Sequence, residues 1–127
     1  MTREDYCSYE VANLLKEKGF DWMCNGYYNK DDEGSEPYFG DGEGADNWNN
    51  QAPSVKDLWF SAPTHQMAMK WLRERHDLHI EVIYNPYFKE YKGCMYKTIG
   101  KYNYTEFYST YEEAVEAALK YCLTVLI

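Results

Sequence analysis

One stretch constrains the chain more than any other. Residues 61–84, SAPTHQMAMKWLRERHDLHIEVIY, change their hydrophobic period once, from helical to two. Thr64 is a good N-cap, since its hydroxyl can accept a backbone N–H that a first helical turn leaves unpaired. Met67, Ala68, Trp71, Leu72 and Arg75 recur at helical spacing, so one face is apolar and Arg75 covers its edge. His76 and Asp77 break that pattern. Leu78, Ile80, Val82 and Tyr84 then point one way, and His79, Glu81 and Ile83 the other. Asn85-Pro86 ends the strand, because proline cannot donate to a ladder. A helix tied this tightly to a strand has to fold back over the strand's sheet. Trp71 is the residue expected between them.

The flanking segments supply further elements. Ser8 is placed to cap a helix from Tyr9 to about Lys18, with Val11, Leu14 and Leu15 as its stripe and Gly19 as its stop. An aromatic arm follows, with Gly26-Tyr27-Tyr28 as short strand material. Residues 29–53 shift to Asp, Glu, Gly and Asn, which reads as a long acidic surface loop with a loose hairpin around Tyr38-Phe39. Leu58-Trp59-Phe60 reads as a short strand. After Pro86, YFKEYKG reads as a turn region. Residues 94–99 then alternate as a strand, Gly100-Lys101 as a hairpin turn, and residues 102–108 as the returning strand. Ser109-Thr110-Tyr111-Glu112 reads as a capping box for a last helix reaching about Leu123 or beyond. The expected fold is α+β: one domain over residues 1–127, with a small antiparallel sheet of about three to five strands and about three helices on one face.

Charge and cysteines narrow the function classes. The formal net charge is −8. It lies wholly in residues 1–60, where Arg3, Lys16, Lys18, Lys30 and Lys56 face thirteen acids; residues 61–127 carry eight of each sign. Residues 31–46 hold seven acids and no base. A surface that attracts nucleic acid everywhere is therefore excluded. Cys7, Cys24, Cys94 and Cys122 form no CxxC pair and no zinc frame, and free thiols are expected. No run approaches the ~20 apolar residues of a membrane helix, and MTREDYCSYE has no apolar signal region, so the cytoplasm is the expected compartment.

The segments CSYEVANLLKEKGFDWMC (7–24), SAPTHQMAMKWLRERHDLHIEV (61–82) and STYEEAVEAALKYCLTVLI (109–127) resemble a family of short proteins found in Bacteroidetes genomes and in the phages and prophages of those bacteria. The resemblance covers nearly half the chain, and the middle piece is the most specific. No activity, ligand or catalytic residue is assigned to that family, so no role passes to any position here. It implies a stand-alone bacterial or phage protein that works inside the cell. The C-terminal strand, Gly-Lys turn, strand and helix opening with STYEEA are also similar to the three-stranded DNA-binding arms of phage integrases. In that likeness Lys89, Lys92, Lys97 and Lys101 would serve DNA, against Glu81, Glu90 and Glu106.

Candidate chemistry thins out on inspection. His76 and His79, with Asp77 between and His65 upstream, span a helix–strand junction and lack a third convergent ligand. Asp41, Glu43 and Asp46 offer oxygens for calcium, but Ala45 stands where the EF-hand frame needs a ligand. Cys94 with His79 is a conceivable nucleophile pair without an orienting third group. There is no phosphate loop and no GxSxG, so no cofactor, metal or catalytic residue is expected. The anomaly is fourteen tyrosines and four tryptophans. Tyrosine suits both a half-buried sheet and a recognition surface. The reading is a non-enzymatic binding or accessory protein whose partner is a protein. Its candidate interaction residues are Tyr96, Tyr102, Tyr104 and Tyr108 on the sheet, and Asp41, Glu43 and Asp46 in the loop. The alternatives are nucleic-acid binding by the C-terminal hairpin, or an acidic mimic of DNA.

Overall fold

Ser8 sets the start of the first helix, α1 (Tyr9–Glu17). Its Oγ accepts the Val11 N–H at 3.2 Å, and its backbone is extended, as an N-cap requires. Val11, Ala12 and Leu15 form the buried stripe. Gly19, at φ +90, takes the left-handed conformation that ends the helix. The computed structural model describes residues 5–39, 46–50 and 58–127.

The chain forms two compact units, Met1–Thr64 and His65–Ile127. In the first, β1 (Gly26–Asn29) is the centre of an antiparallel sheet between β2 (Tyr38–Phe39) and β3 (Trp59–Ser61). The hairpin expected at Tyr38-Phe39 is the β1–β2 pair. Aromatic rings tie the unit together. Tyr27 stacks on Trp48 at 4.2 Å between centroids, and Trp59 meets both edge-on at 6.2 Å. Trp48 Nε1 donates to the Cys24 carbonyl at 2.9 Å, which pins residues 46–50 to the sheet. These rings cover one another in part, and each keeps part of its surface exposed.

The second unit opens with α2 (His65–His76), which begins immediately after Thr64. Trp71 is 1 % exposed and Leu72 is fully buried. Asp77, at φ +53, makes the reversal, and the Leu78 N–H returns to the Leu72 carbonyl at 3.1 Å. The strand β4 (His79–Asn85) follows and pairs antiparallel along its length with β5 (Glu90–Tyr96). The third strand, β6 (Tyr102–Tyr104), lies on the other side of β5. The last helix is α3 (Tyr111–Tyr121), continued by a π-helical turn over Cys122–Leu126. There the Ile127 N–H reaches back to the Cys122 carbonyl, and the Thr124 hydroxyl donates to the Lys120 carbonyl at 2.7 Å. The class is α+β, with three helices and two three-stranded antiparallel sheets. The sequence pattern had suggested a single sheet.

Four local expectations are corrected. The turn after β4 occupies only residues 86–89, so β5 starts at Glu90 rather than Cys94 and ends at Tyr96 rather than Ile99. Asn85 Oδ1 accepts the N–H groups of Tyr87 and Phe88, and Lys89 at φ +54 completes the reversal. Second, β6 stops at Tyr104. The register Cys94↔Tyr104 gives way to a bridge Tyr91↔Tyr108, one residue out of step, so residues 105–107 form a bulge. The Thr105 hydroxyl causes it by accepting the Gly93 N–H at 2.8 Å in place of a backbone carbonyl. Third, that step turns Tyr108 away from the face of Tyr102 and Tyr104. Fourth, the cap of α3 is Thr110, not Ser109. Thr110 Oγ1 accepts the Glu113 N–H at 3.1 Å, and Glu113 Oε1 accepts from both hydroxyls. Thr110→Ala is therefore expected to lower stability by about 1 kcal/mol in chemical denaturation, and Ser109→Ala by less. Equal losses would return the cap to Ser109.

α3 covers one face of this sheet closely, because Gly93 leaves room for it. A Cβ on Gly93 would lie 2.8 Å from the Ala118 Cβ and 3.3 Å from the Ala114 carbonyl. Met95, on the same side as Gly93, is fully buried, and the Tyr121 hydroxyl reaches Asn103 Oδ1 on that side at 3.4 Å. The first residue of α2 is tied to α3 through His65 Nε2 and Glu116 Oε1, 2.8 Å apart.

Candidate interaction surface

Residues opposite each other in an antiparallel ladder share a face, and neighbours along a strand alternate. Since Gly93 faces α3, Lys92, Cys94 and Tyr96 face away from it. Their partners Ile83, Glu81 and His79 on β4, and Tyr102 and Tyr104 on β6, share that open face. Three of the tyrosines singled out from sequence, Tyr96, Tyr102 and Tyr104, are thus brought together. Tyr108 is not among them, because the bulge turns it to the side of Tyr91, whose ring meets Tyr111 of α3 at 6.2 Å.

The face is a connected set of side chains. His79 lies on Tyr96, with centroids 5.5 Å apart and planes 20° from parallel, and Tyr96 meets Tyr102 edge-on at 5.2 Å. His79 Nε2 is 3.1 Å from Asp77 Oδ1. Burial and the neighbouring Glu81 carboxylate, which the phenol also bonds, push the Tyr96 pKa up. Lys92 Nζ sits 4.4 Å from the Tyr104 centroid and 5.0 Å from that of Phe107, so its charge lies on two rings. Ile83 is 39 % exposed, Tyr102 44 % and Tyr104 51 %. The surface offers flat apolar area with polar tips, one cation and one carboxylate.

Cys94 lies on this face but is almost wholly covered. Desolvation, then Glu81, raise its pKa, which disfavours the thiolate. The other three cysteines are also buried and form no disulfide, and burial pushes Cys122 up to about 12. The histidines have separate surroundings: His65 meets Glu116, the His76 ring packs on Trp71 at 5.0 Å, and His79 stacks on Tyr96. Among the described residues no three His, Cys, Asp or Glu side chains converge to hold a metal ion, and no helix is long and apolar enough to cross a membrane.

The lysines of the integrase likeness do not gather on the open face. Lys92 is there, Lys89 is in the β4–β5 turn, and Lys97 and Lys101 line a shallow hollow of about 260 Å³ floored by Leu78 and Leu126. Of the acidic-loop candidates, Asp41 and Glu43 lie outside the described residues. Asp46 is exposed, and its backbone exchanges two hydrogen bonds with Cys24 at 2.9 and 3.0 Å. Its carboxylate accepts the Asn47 N–H at 2.7 Å.

Sequence reasoning missed part of the exposed apolar surface. Tyr87 and Phe88, at the tip of the β4–β5 hairpin, are 85 % and 65 % exposed, and their rings meet edge-on at 4.8 Å. Two large aromatics inside a turn were the available signal. Alternation places Phe107 in a regular strand, whereas its place beside Lys92 depends on the bulge. No family model, curated protein or solved structure matches this chain.

Proposed function

We propose that this is a non-enzymatic binding protein of bacterial or phage origin, and that it contacts another protein through the open face of the β4–β5–β6 sheet. The observation that carries this reading is the division of the sheet. α3 covers one face, and the other presents Ile83, Tyr96, Tyr102, Tyr104 and Phe107 around Lys92 to solvent. A cluster of exposed rings marks an interaction site more reliably than scattered apolar residues do. Tyrosine supplies large contact area at low entropy cost, as binding hot spots require. Glu81 on the face, and a balance of eight bases and eight acids over residues 65–127, favour a protein partner over a polyanion.

The test is paired affinity capture from a producing cell, with the native chain and with a Tyr102→Ser/Tyr104→Ser double variant. Both side chains are about half exposed, so the fold should survive, and the melting transition checks that. A discrete partner held by the native chain and lost by a folded double variant is the expected outcome. Equal recovery by both, or nothing enriched by either, defeats the reading.

A further inference from the structure

The outer strands of the two sheets are not alike. β2 has two residues, β3 three and β6 three, whereas β4 has seven. An edge strand exposes a row of unpaired backbone groups, and folded proteins blunt such rows with short length, bulges, lysine or proline. β6 has these protections, being short, preceded by Lys101 and followed by the bulge. β4 has none of them within its length, Pro86 standing just beyond its end. Its sequence, HIEVIYN, holds no lysine, proline or glycine, it pairs with β5 without interruption, and none of its residues is buried.

The direction of its backbone groups follows from the central strand. Tyr91 and Gly93 spend their N–H and C=O groups on the β6 side, with Tyr108 and Thr105. These groups alternate along a strand, so Lys92, Cys94 and Tyr96 turn theirs to β4. Their partners Ile83, Glu81 and His79 are the β4 residues bonded into the sheet. Ile80, Val82 and Tyr84 therefore turn their N–H and C=O groups outward, and among the described residues no backbone bond takes them up.

We propose that this edge pairs with β4 of a second copy of the chain, antiparallel about a two-fold axis at Val82. That register sets Val82 against Val82 and Ile80 against Tyr84, and it satisfies every outward group of the three residues on both copies at once. It brings Ile80 and Tyr84 side chains together on one face and lays Ile83 beside the stem of Glu81 on the other. The unit that carries β4, His65–Ile127, holds equal numbers of acids and bases, and the net charge of −8 lies in the other unit. An extended foreign strand offers the same main-chain groups; a second copy adds the symmetric side-chain pairs Val82–Val82 and Ile80–Tyr84. The paired sheets would present the open tyrosine faces of two copies on one continuous surface.

Two measurements decide it, both on the full chain. Sedimentation velocity from about 1 to about 200 μM, a range covering ordinary dimer affinities, should show the mass rising from 15.1 kDa towards twice that value. Amide exchange over the same range should show Ile80, Val82 and Tyr84 gaining protection with concentration, while Glu81 and Ile83 stay protected throughout. Val82→Pro removes an outward donor and no bond to β5, so it should raise the dimer dissociation constant at least about tenfold. A monomer at every concentration overturns the proposal. So does a dimer in which those three amides exchange freely, or a folded Val82→Pro chain that dimerises like the native one. If that variant fails to fold, the amide pattern of the native chain decides alone.

Discussion

Replacing Trp71 by Ala is expected to lower the stability of the chain by about 3–5 kcal/mol, the usual range for deleting a large buried aromatic ring. Trp71 is 1 % exposed and stands one residue before the equally buried Leu72, whose carbonyl closes the turn into β4. Its indole also packs on His76 at the end of α2. Removing it leaves a cavity on the buried side of α2, and the short junction to β4 gives the helix little freedom to close it. Chemical denaturation reads the loss directly, and a domain's whole stability is only about 5–15 kcal/mol, so this one change removes a large share. A loss below about 1 kcal/mol would mean that helix and strand are not packed through this ring.

The second large effect is a matter of sign. In an ordinary strand, Gly→Ala is expected to stabilise by about 0.5–1 kcal/mol, because glycine gives up more chain entropy on folding. At Gly93 the opposite is expected, a loss of about 1–3 kcal/mol. The added methyl would stand 2.8 Å from the Ala118 Cβ, 3.2 Å from the Thr105 Cγ2 and 3.3 Å from the Ala114 carbonyl, so α3 has to move off the sheet or the bulge has to open. Gly93→Val should cost more than Gly93→Ala. A neutral or stabilising Gly93→Ala would show that α3 does not press on β5 at this point. That would remove the reason for assigning one face of the sheet to the helix and the other to solvent.

What could be read from sequence was what depends on near neighbours. The Ser8 cap, the stop at Gly19, the period change at His76-Asp77 and the wide apolar face of α3 are all encoded within a few residues, and all are found. What could not be read depends on residues brought from a distance. β1 pairs with β3 across thirty or more positions, and nothing in GYYN or WFS names the other, so the pattern reads two sheets as one. The bulge exists because the Thr105 hydroxyl occupies a ladder position of Gly93 twelve residues earlier. Alternation by itself put Tyr108 with Tyr102 and Tyr104. The turn at residues 86–89 contains no glycine, and its left-handed residue is Lys89, so composition overstated its length. At the candidate surface, Tyr96, Tyr102 and Tyr104 were legible as a strand pattern. Lys92 on two rings was not, because it takes three elements to assemble.

The central claim is that the face carrying Tyr102 and Tyr104 meets another protein while the face under α3 does not. Site-specific photo-crosslinking inside a producing cell tests it most directly. A photoreactive aromatic residue is placed at position 104 on the open face or, for comparison, at position 112, half-exposed on α3. The account predicts a discrete adduct with a second, different polypeptide from position 104 and none from position 112. An adduct formed equally from both positions, or from position 112 alone, or no adduct from position 104, would contradict it.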